Sequence, residues 1–220
     1  MTGVAFNADS AGPKPPAEGN WAKYRSEWWR LYFTGEIEHF WPPQLDQPVP
    51  DDHGYRWISR DGVFDIAADG SALHTAVAST VWGVGKWAFR VGRFVRPFTR
   101  NQDTVGANLQ RASTVLVADG PVAAYEAMFR GGSASTKFMR PAYFTKFLYF
   151  SGYRSDADLK PLILDRRGAR ALRGRAVFGP NTGNTNWPSH LYRTYLEYCR
   201  DQHSTDPAAV EMALFNEGKG

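Results

Sequence analysis

The stretch YFTKFLYF, residues 143–150, sets Lys146 among aromatic and aliphatic side chains. Nineteen residues later, LILDRR (162–167) ends an apolar run at Asp165. An ammonium group in a helix that is apolar on nearly every side is in one of two situations. Either it snorkels past its neighbours to water, or it faces an enclosed pocket. There, desolvation lowers its pKa and frees a lone pair for nucleophilic attack. Asp165 also has two readings. Placed after an apolar run and before RRGARALR, it is a good N-cap. A carboxylate held by helix N–H groups is at the same time fixed and ionised, and so can stabilise a developing positive charge. The two duties do not exclude each other.

Helices must position this pair. Pro141 starts the lysine-bearing helix and Gly152 lies just past its end; Asp165 caps the next, which Gly174 closes. Asn186, with Trp187 and Pro188, opens SHLYRTYLEYCRDQ, and Asp206-Pro207 opens AAVEMALF. Upstream, a helical pattern begins at Asn20, with Trp21, Tyr24, Trp28, Leu31 and Tyr32 on one face. A proline-broken connection, FWPPQLDQPVPDDHG, follows it. Residues 59–83 read as one or two short helices interrupted at Gly70. Asp103 or Thr104 can cap a helix through about Leu116, and a further one opens at Asp119-Gly120-Pro121 and stops at Gly131-Gly132. Strand-like alternation is scarce and no segment repeats. The expectation is an all-α or predominantly α multi-helix bundle with seven to nine helices. It forms one domain over 20–220, divisible into lobes at 20–118 and 119–220, behind a flexible Gly/Pro/Ala-rich leader at 1–19.

Composition narrows the chemistry. The single cysteine, Cys199, excludes disulfide frameworks, zinc fingers and iron–sulfur clusters. Cys199 and His203 stand one helical turn apart, but two ligands do not make a metal site. No metal or other cofactor is expected. No signal peptide and no stretch of roughly 18 apolar residues is seen, so no membrane partner is expected and a reducing cytoplasm is the default setting. The net charge of +4 is compatible with a polyanionic partner without requiring one. Its distribution is more telling. No acidic residue lies between Asp69 and Asp103, and that gap holds Lys86, Arg90, Arg93, Arg96 and Arg100 among aromatics. Arg93, Arg96 and Arg100 have the spacing of a helical stripe, and GVGK at 83–86 offers a weak amide-nest signal. A second cluster, Arg166, Arg167, Arg170, Arg173 and Arg175, follows Asp165 directly. Any one such run is ordinarily a solvated face; two acid-poor clusters, one beside Asp165, favour phosphate contacts.

FTKFLYF followed nineteen residues on by LILDRR resembles the core of the helix-hairpin-helix DNA glycosylase superfamily, most of all its 8-oxoguanine glycosylase branch. The likeness is sharp over 143–173, softer over 82–202 and absent before about residue 20. In that branch a Thr-Lys pair opens a helix, the lysine attacks the sugar, and an aspartate caps a later helix. Thr145-Lys146 and Asp165 match. The resemblance implies a cleft between two helical lobes and double-stranded DNA carrying a lesion or modified base as partner, bound by a monomer at the bacterial nucleoid. The base, an 8-oxoguanine-type purine by preference, is flipped out and excised by Lys146 through a Schiff base, with Asp165 stabilising positive charge and strand cleavage following. It further implies that Phe150 stacks against the flipped base and that Arg167 contacts a phosphate. The branch's Gly-x-Gly phosphate turn has no counterpart in KFMRPAYFTK, which contains no glycine. Similar short proteins occur in antiphage islands, where the substrate would be a modified nucleobase. A DNA-binding module without turnover is the alternative outside the enzymes.

Overall fold

A computed structural model describes residues 20–85 and 91–219. The expected leader and two of the expected phosphate-binding residues, Lys86 and Arg90, lie outside the described residues. The chain is predominantly helical, with a single two-stranded sheet among the described residues.

The N-terminal segment departs from the expected helix. Residues Ala22–Tyr24 form β1, which pairs antiparallel with β2 (Arg56–Ile58) in the register Ala22↔Ile58, Lys23↔Trp57, Tyr24↔Arg56. Alternation decides it: Ala22 and Tyr24 turn inward, and the Tyr24 hydroxyl donates to the Leu45 carbonyl at 2.6 Å. Helix α1 is only Ser26–Arg30 and buries Trp29. Leu31 and Tyr32, placed on the apolar face by the helical pattern, are exposed. Two 3-10 turns follow, Gly35–Phe40 ahead of the proline-broken connection and Pro43–Asp46 within it.

The helices that follow are set by local caps. Ser59 accepts from the Gly62 amide to open α2 (Arg60–Ala68), and Ser71 from the His74 amide to open α3 (Ala72–Val84). Gly70, at φ 81°, makes the break between them. The expected arginine stripe is not one helix but two short ones, α4 (Val91–Phe94) and α5 (Arg96–Thr99), the second opened with Pro97 in its first turn. The two helices expected on either side of residue 119 follow one another directly and are labelled together as α6 (Val105–Met128). Gly120, at φ 84° and ψ −179°, is not helical, so α6 is two helical segments broken there as expected, with Pro121 opening the second.

Helix α7 (Pro141–Gly152) is the central rod, packed against α2, α3 and α6. It buries every residue from Phe144 to Phe150. Helix α10 (Pro207–Glu217) packs on both α8 (Arg166–Gly174) and α9 (Ser189–Gln202), and α9 packs on α6. Asn186 does not cap α9: it sits at φ 61° and Pro188 holds the cap position. No helix of the described residues is long and apolar enough to cross a membrane.

Candidate active site

Position starts with Thr145. Its hydroxyl donates to the Pro141 carbonyl at 2.7 Å and accepts from the Leu164 amide at 3.2 Å, tying α7 to the residue before Asp165. The hydroxyls of Tyr192 and Tyr195 on α9 donate to the carbonyls of Leu162 and Ile163. The irregular segment ahead of Asp165 is thus fixed from both sides. Thr145 and Lys146 lie in the interior of α7 rather than at its start, because Pro141 begins the helix one turn earlier.

Asp165 caps α8 as expected, with Oδ1 accepting from the amides of Arg167 (2.8 Å) and Gly168 (3.1 Å). One oxygen takes both bonds, so the cap does not require the second. Lys146 does not snorkel. It is 8% exposed, and its Nζ donates to the Ala142 carbonyl at 2.7 Å rather than to the carboxylate. Burial pushes its pKa below the ordinary lysine range; the charges of Asp165 and Glu211 pull it back, and that of Arg60 adds to the depression.

Lys146 and Asp165 line one cavity of about 130 Å³, together with Arg60, Glu211, Trp21, Trp82, Gly83 and Phe215. Trp21, Trp82, Gly83, Asp165 and Phe215 also wall a wider cleft of about 460 Å³ that adds Lys23, Trp57 and Arg167. Gly83 makes room for the lysine: a Cβ there would stand 2.7 Å from both Cδ and Cε of Lys146. Gly85 instead terminates α3 at φ 54°, so the two glycines of GVGK have separate tasks.

Glu211 is the residue the sequence reading passed over. It is buried at 5% exposure and pairs with Arg60 at 3.1 Å; Arg60 also donates to the Tyr149 hydroxyl at 3.0 Å and lies against the rings of Tyr149 and Trp82. Desolvation raises the Glu211 pKa and Arg60 opposes the rise. The signal was present in the sequence: Glu211 interrupts AAVEMALF as Lys146 interrupts YFTKFLYF. Two basic and two acidic side chains therefore surround one small space with aromatic walls.

Other expected site residues are placed as follows. Phe150, one turn beyond Lys146, does not line the cavity. It is 3% exposed and packed edge-on to Phe64 and Trp82, so it braces a wall rather than forming one. Arg167 flanks the cleft, its guanidinium 4.8 Å above the Phe215 ring. Arg166 and Arg170 are exposed on α8. Arg93 and Arg96 line a separate groove with Arg140, while Arg100 is exposed at the end of α5 and off that groove. Arg173 and Arg175 are engaged internally, with the Thr182 carbonyl and Asn184 and with Glu217 and Tyr198 respectively. Asn184 is thereby committed to Arg173. His203 accepts from the Asp206 amide, while Cys199 is buried.

A buried lysine and a helix-capping aspartate thus face one aromatic cavity in a helical chain with basic flanks. A family model described as "putative 8-oxoguanine DNA glycosylase OGG-like protein" matches residues 15–215. The chain belongs to this OGG-like family of DNA glycosylases. No curated protein and no solved structure matches it.

Proposed function

We propose that the chain is a DNA N-glycosylase with AP lyase activity, working at the cavity between Lys146 and Asp165. The observation that supports this most is the burial of the Lys146 amine, with its pKa lowered, in the same small cavity as a carboxylate already fixed by α8. A neutral amine is a nucleophile, and a carboxylate held in place stabilises cationic charge without reorganising.

Because a glycosidic carbon is inaccessible inside the stack, the nucleotide first leaves the duplex. The base enters between Trp82 and Phe215, and Asp165 faces the sugar as positive charge develops. The Lys146 lone pair forms a bond to C1′ while the C1′–N bond breaks, its electrons leaving with the base. Loss of the amine proton and opening of the sugar ring give the Schiff base. Removal of a C2′ proton then expels the 3′ phosphate by β-elimination. The Glu211 carboxylate can accept from adjacent N–H donors on a base edge. A guanine-type edge supplies two, which favours an 8-oxoguanine-type purine. The wide cleft and the arginines of α8 suit the phosphates on either side, with lesion-bearing duplex bound by a monomer.

The test is borohydride trapping on an abasic duplex. Wild-type protein should become covalently joined, and Lys146→Gln should not, while binding the same DNA with little change. Undiminished trapping by Lys146→Gln would remove the lysine from the chemistry. No trapping by wild type would leave a DNA-binding module without turnover. A panel of lesion duplexes then identifies the base.

A further inference from the structure

We propose that Phe138 is the wedge that enters the base stack when a nucleotide leaves it for the Lys146 cavity, which makes the segment around residues 129–140 the positioning element of the reaction. The inference rests on the glycosylase reading above.

Phe138 is an anomaly on two counts. It is a large apolar side chain left 52% exposed, and its backbone is held at φ 71°, a region that a β-carbon disfavours. Neither count is relieved by motion, because the segment is tied down. Asn101 Nδ2 donates to the carbonyls of Pro97 (2.9 Å) and Lys137 (3.2 Å); Asn108 Nδ2 donates to the Ser135 carbonyl (3.0 Å) and the Thr136 hydroxyl (3.3 Å). Met139 is buried beside it, its amide bonded to the Thr136 carbonyl. With Met139 turned inward, Phe138 is turned outward and kept there. A ring presented this way has its ordering cost settled before any partner arrives.

Its surroundings specify the partner. Phe138 forms the ridge between two grooves of about 410 and 430 Å³. Arg130, Lys137 and Arg140 line the first and Arg93, Arg96 and Arg140 the second, and neither lining includes an acidic residue. An apolar wedge between cationic grooves matches a duplex, whose phosphate strands run either side of the stacked bases. The ridge is also next to the chemistry. Tyr143 lines the second groove, and its ring lies 5.8 Å from Lys146 Nζ. Phe138 and the nucleophile thus belong to the same end of α7. A step that loses a nucleotide to the cavity leaves a gap, and an aromatic ring filling it recovers stacking that extrusion removes.

The probes are two duplexes, one intact and one with a tetrahydrofuran abasic analogue, each carrying 2-aminopurine beside the target position. Wild type should bind the abasic duplex more tightly than the intact one and should change the 2-aminopurine fluorescence on binding. Phe138→Ala and Phe138→Gly should lose that preference on the order of tenfold, as expected for one buried aromatic side chain, and should lose the fluorescence change. Phe138→Trp should restore both. The glycine variant also keeps the loop honest as a control, because φ 71° costs glycine nothing, so its melting temperature should not fall. Wild-type preference and fluorescence retained in both truncations would overturn the wedge while leaving the glycosylase reading intact. Equal loss of affinity for both duplexes would make Phe138 a backbone contact and overturn it too. If wild type neither prefers the tetrahydrofuran duplex nor is trapped by borohydride on a duplex with a natural abasic site, the DNA-glycosylase reading itself fails, and the wedge with it.

Discussion

Gly83→Ala pulls stability and rate apart in a way that only a confined Lys146 predicts. The new Cβ would lie 2.7 Å from Cδ and Cε of Lys146. Ordinary carbon–carbon contact is about 3.5–4.0 Å, so the end of the lysine must retreat by roughly 1 Å. It has little room, since the side chain is buried and its Nζ is engaged with Ala142. A 1 Å misplacement of a reacting group can cost about 100-fold in rate. In the opposite direction, alanine inside α3 is intrinsically favoured over glycine by up to about 1 kcal/mol, which for a chain of this size is worth about 2–4 °C. The expected variant melts at or slightly above the parental temperature yet forms its borohydride-trapped complex roughly 100-fold more slowly under single-turnover conditions. Gly106→Ala is the control: in α6 a Cβ at that position meets nothing within 4 Å, so the helix gain should come with no loss of rate. Parental trapping by Gly83→Ala would show that the observed position of Lys146 has no bearing on attack. A collapse in melting temperature would show that the backbone, not the lysine, yields to the added carbon.

The remaining tests separate roles that share residues. Asp165→Asn keeps the α8 cap, since asparagine caps about as well, but loses the charge; unfolding should change by a few tenths of a kcal/mol while trapping slows on the order of 100-fold. Arg60→Met should cost about 3–5 kcal/mol in urea unfolding by stranding Glu211, and Arg60→Met with Glu211→Leu should recover most of it. Trapping rate should climb with pH and level off below the ordinary lysine value of 10.5, because burial depresses Lys146. Glu211→Gln, which removes a charge favouring the ammonium, should move that plateau to lower pH. The same depression makes the unfolded chain the better proton binder between the folded pKa and 10.5. Stability should therefore rise with pH through that window, and the rise should be absent in Lys146→Gln.

Local signals were legible in the sequence and distant ones were not. Pro141, Asp165 and Asp206 sit at or beside helix starts as expected, because a cap acts within three residues of itself. Gly70 likewise broke α2 from α3 where expected. The strand at Ala22–Tyr24 was hidden, because its partner lies beyond the whole proline-rich connection and three residues carry too little periodicity. Gly120-Pro121 ends one helical segment of α6 and opens the next, as its local chemistry suggested. At the site, Lys146 and Asp165 were visible as a spaced pair. Arg60 and Glu211 meet across 151 positions, and no local pattern joins them. Phe150 was expected in the pocket from the family resemblance and its place one turn beyond Lys146; both give the side of α7, but the ring packs edge-on against Trp82 of α3 and does not line the cavity.

The cavity borrows its walls from widely separated parts of the chain: Trp21 and Arg60 come early, Glu211 and Phe215 late. This has a bearing on biosynthesis. A chain emerging from the ribosome exposes α7, with Lys146, well before α10 is made. Until residues 207–217 have docked, Lys146 lacks its cover, one of its two carboxylate neighbours and the aromatic wall supplied by Phe215. Its amine is then an ordinary solvated ammonium, protonated at neutral pH and inert toward aldehydes. If Lys146 acts as proposed, its nucleophilicity arrives with the final docking step, and proteolysis that trims α10 would return the lysine to that silent form.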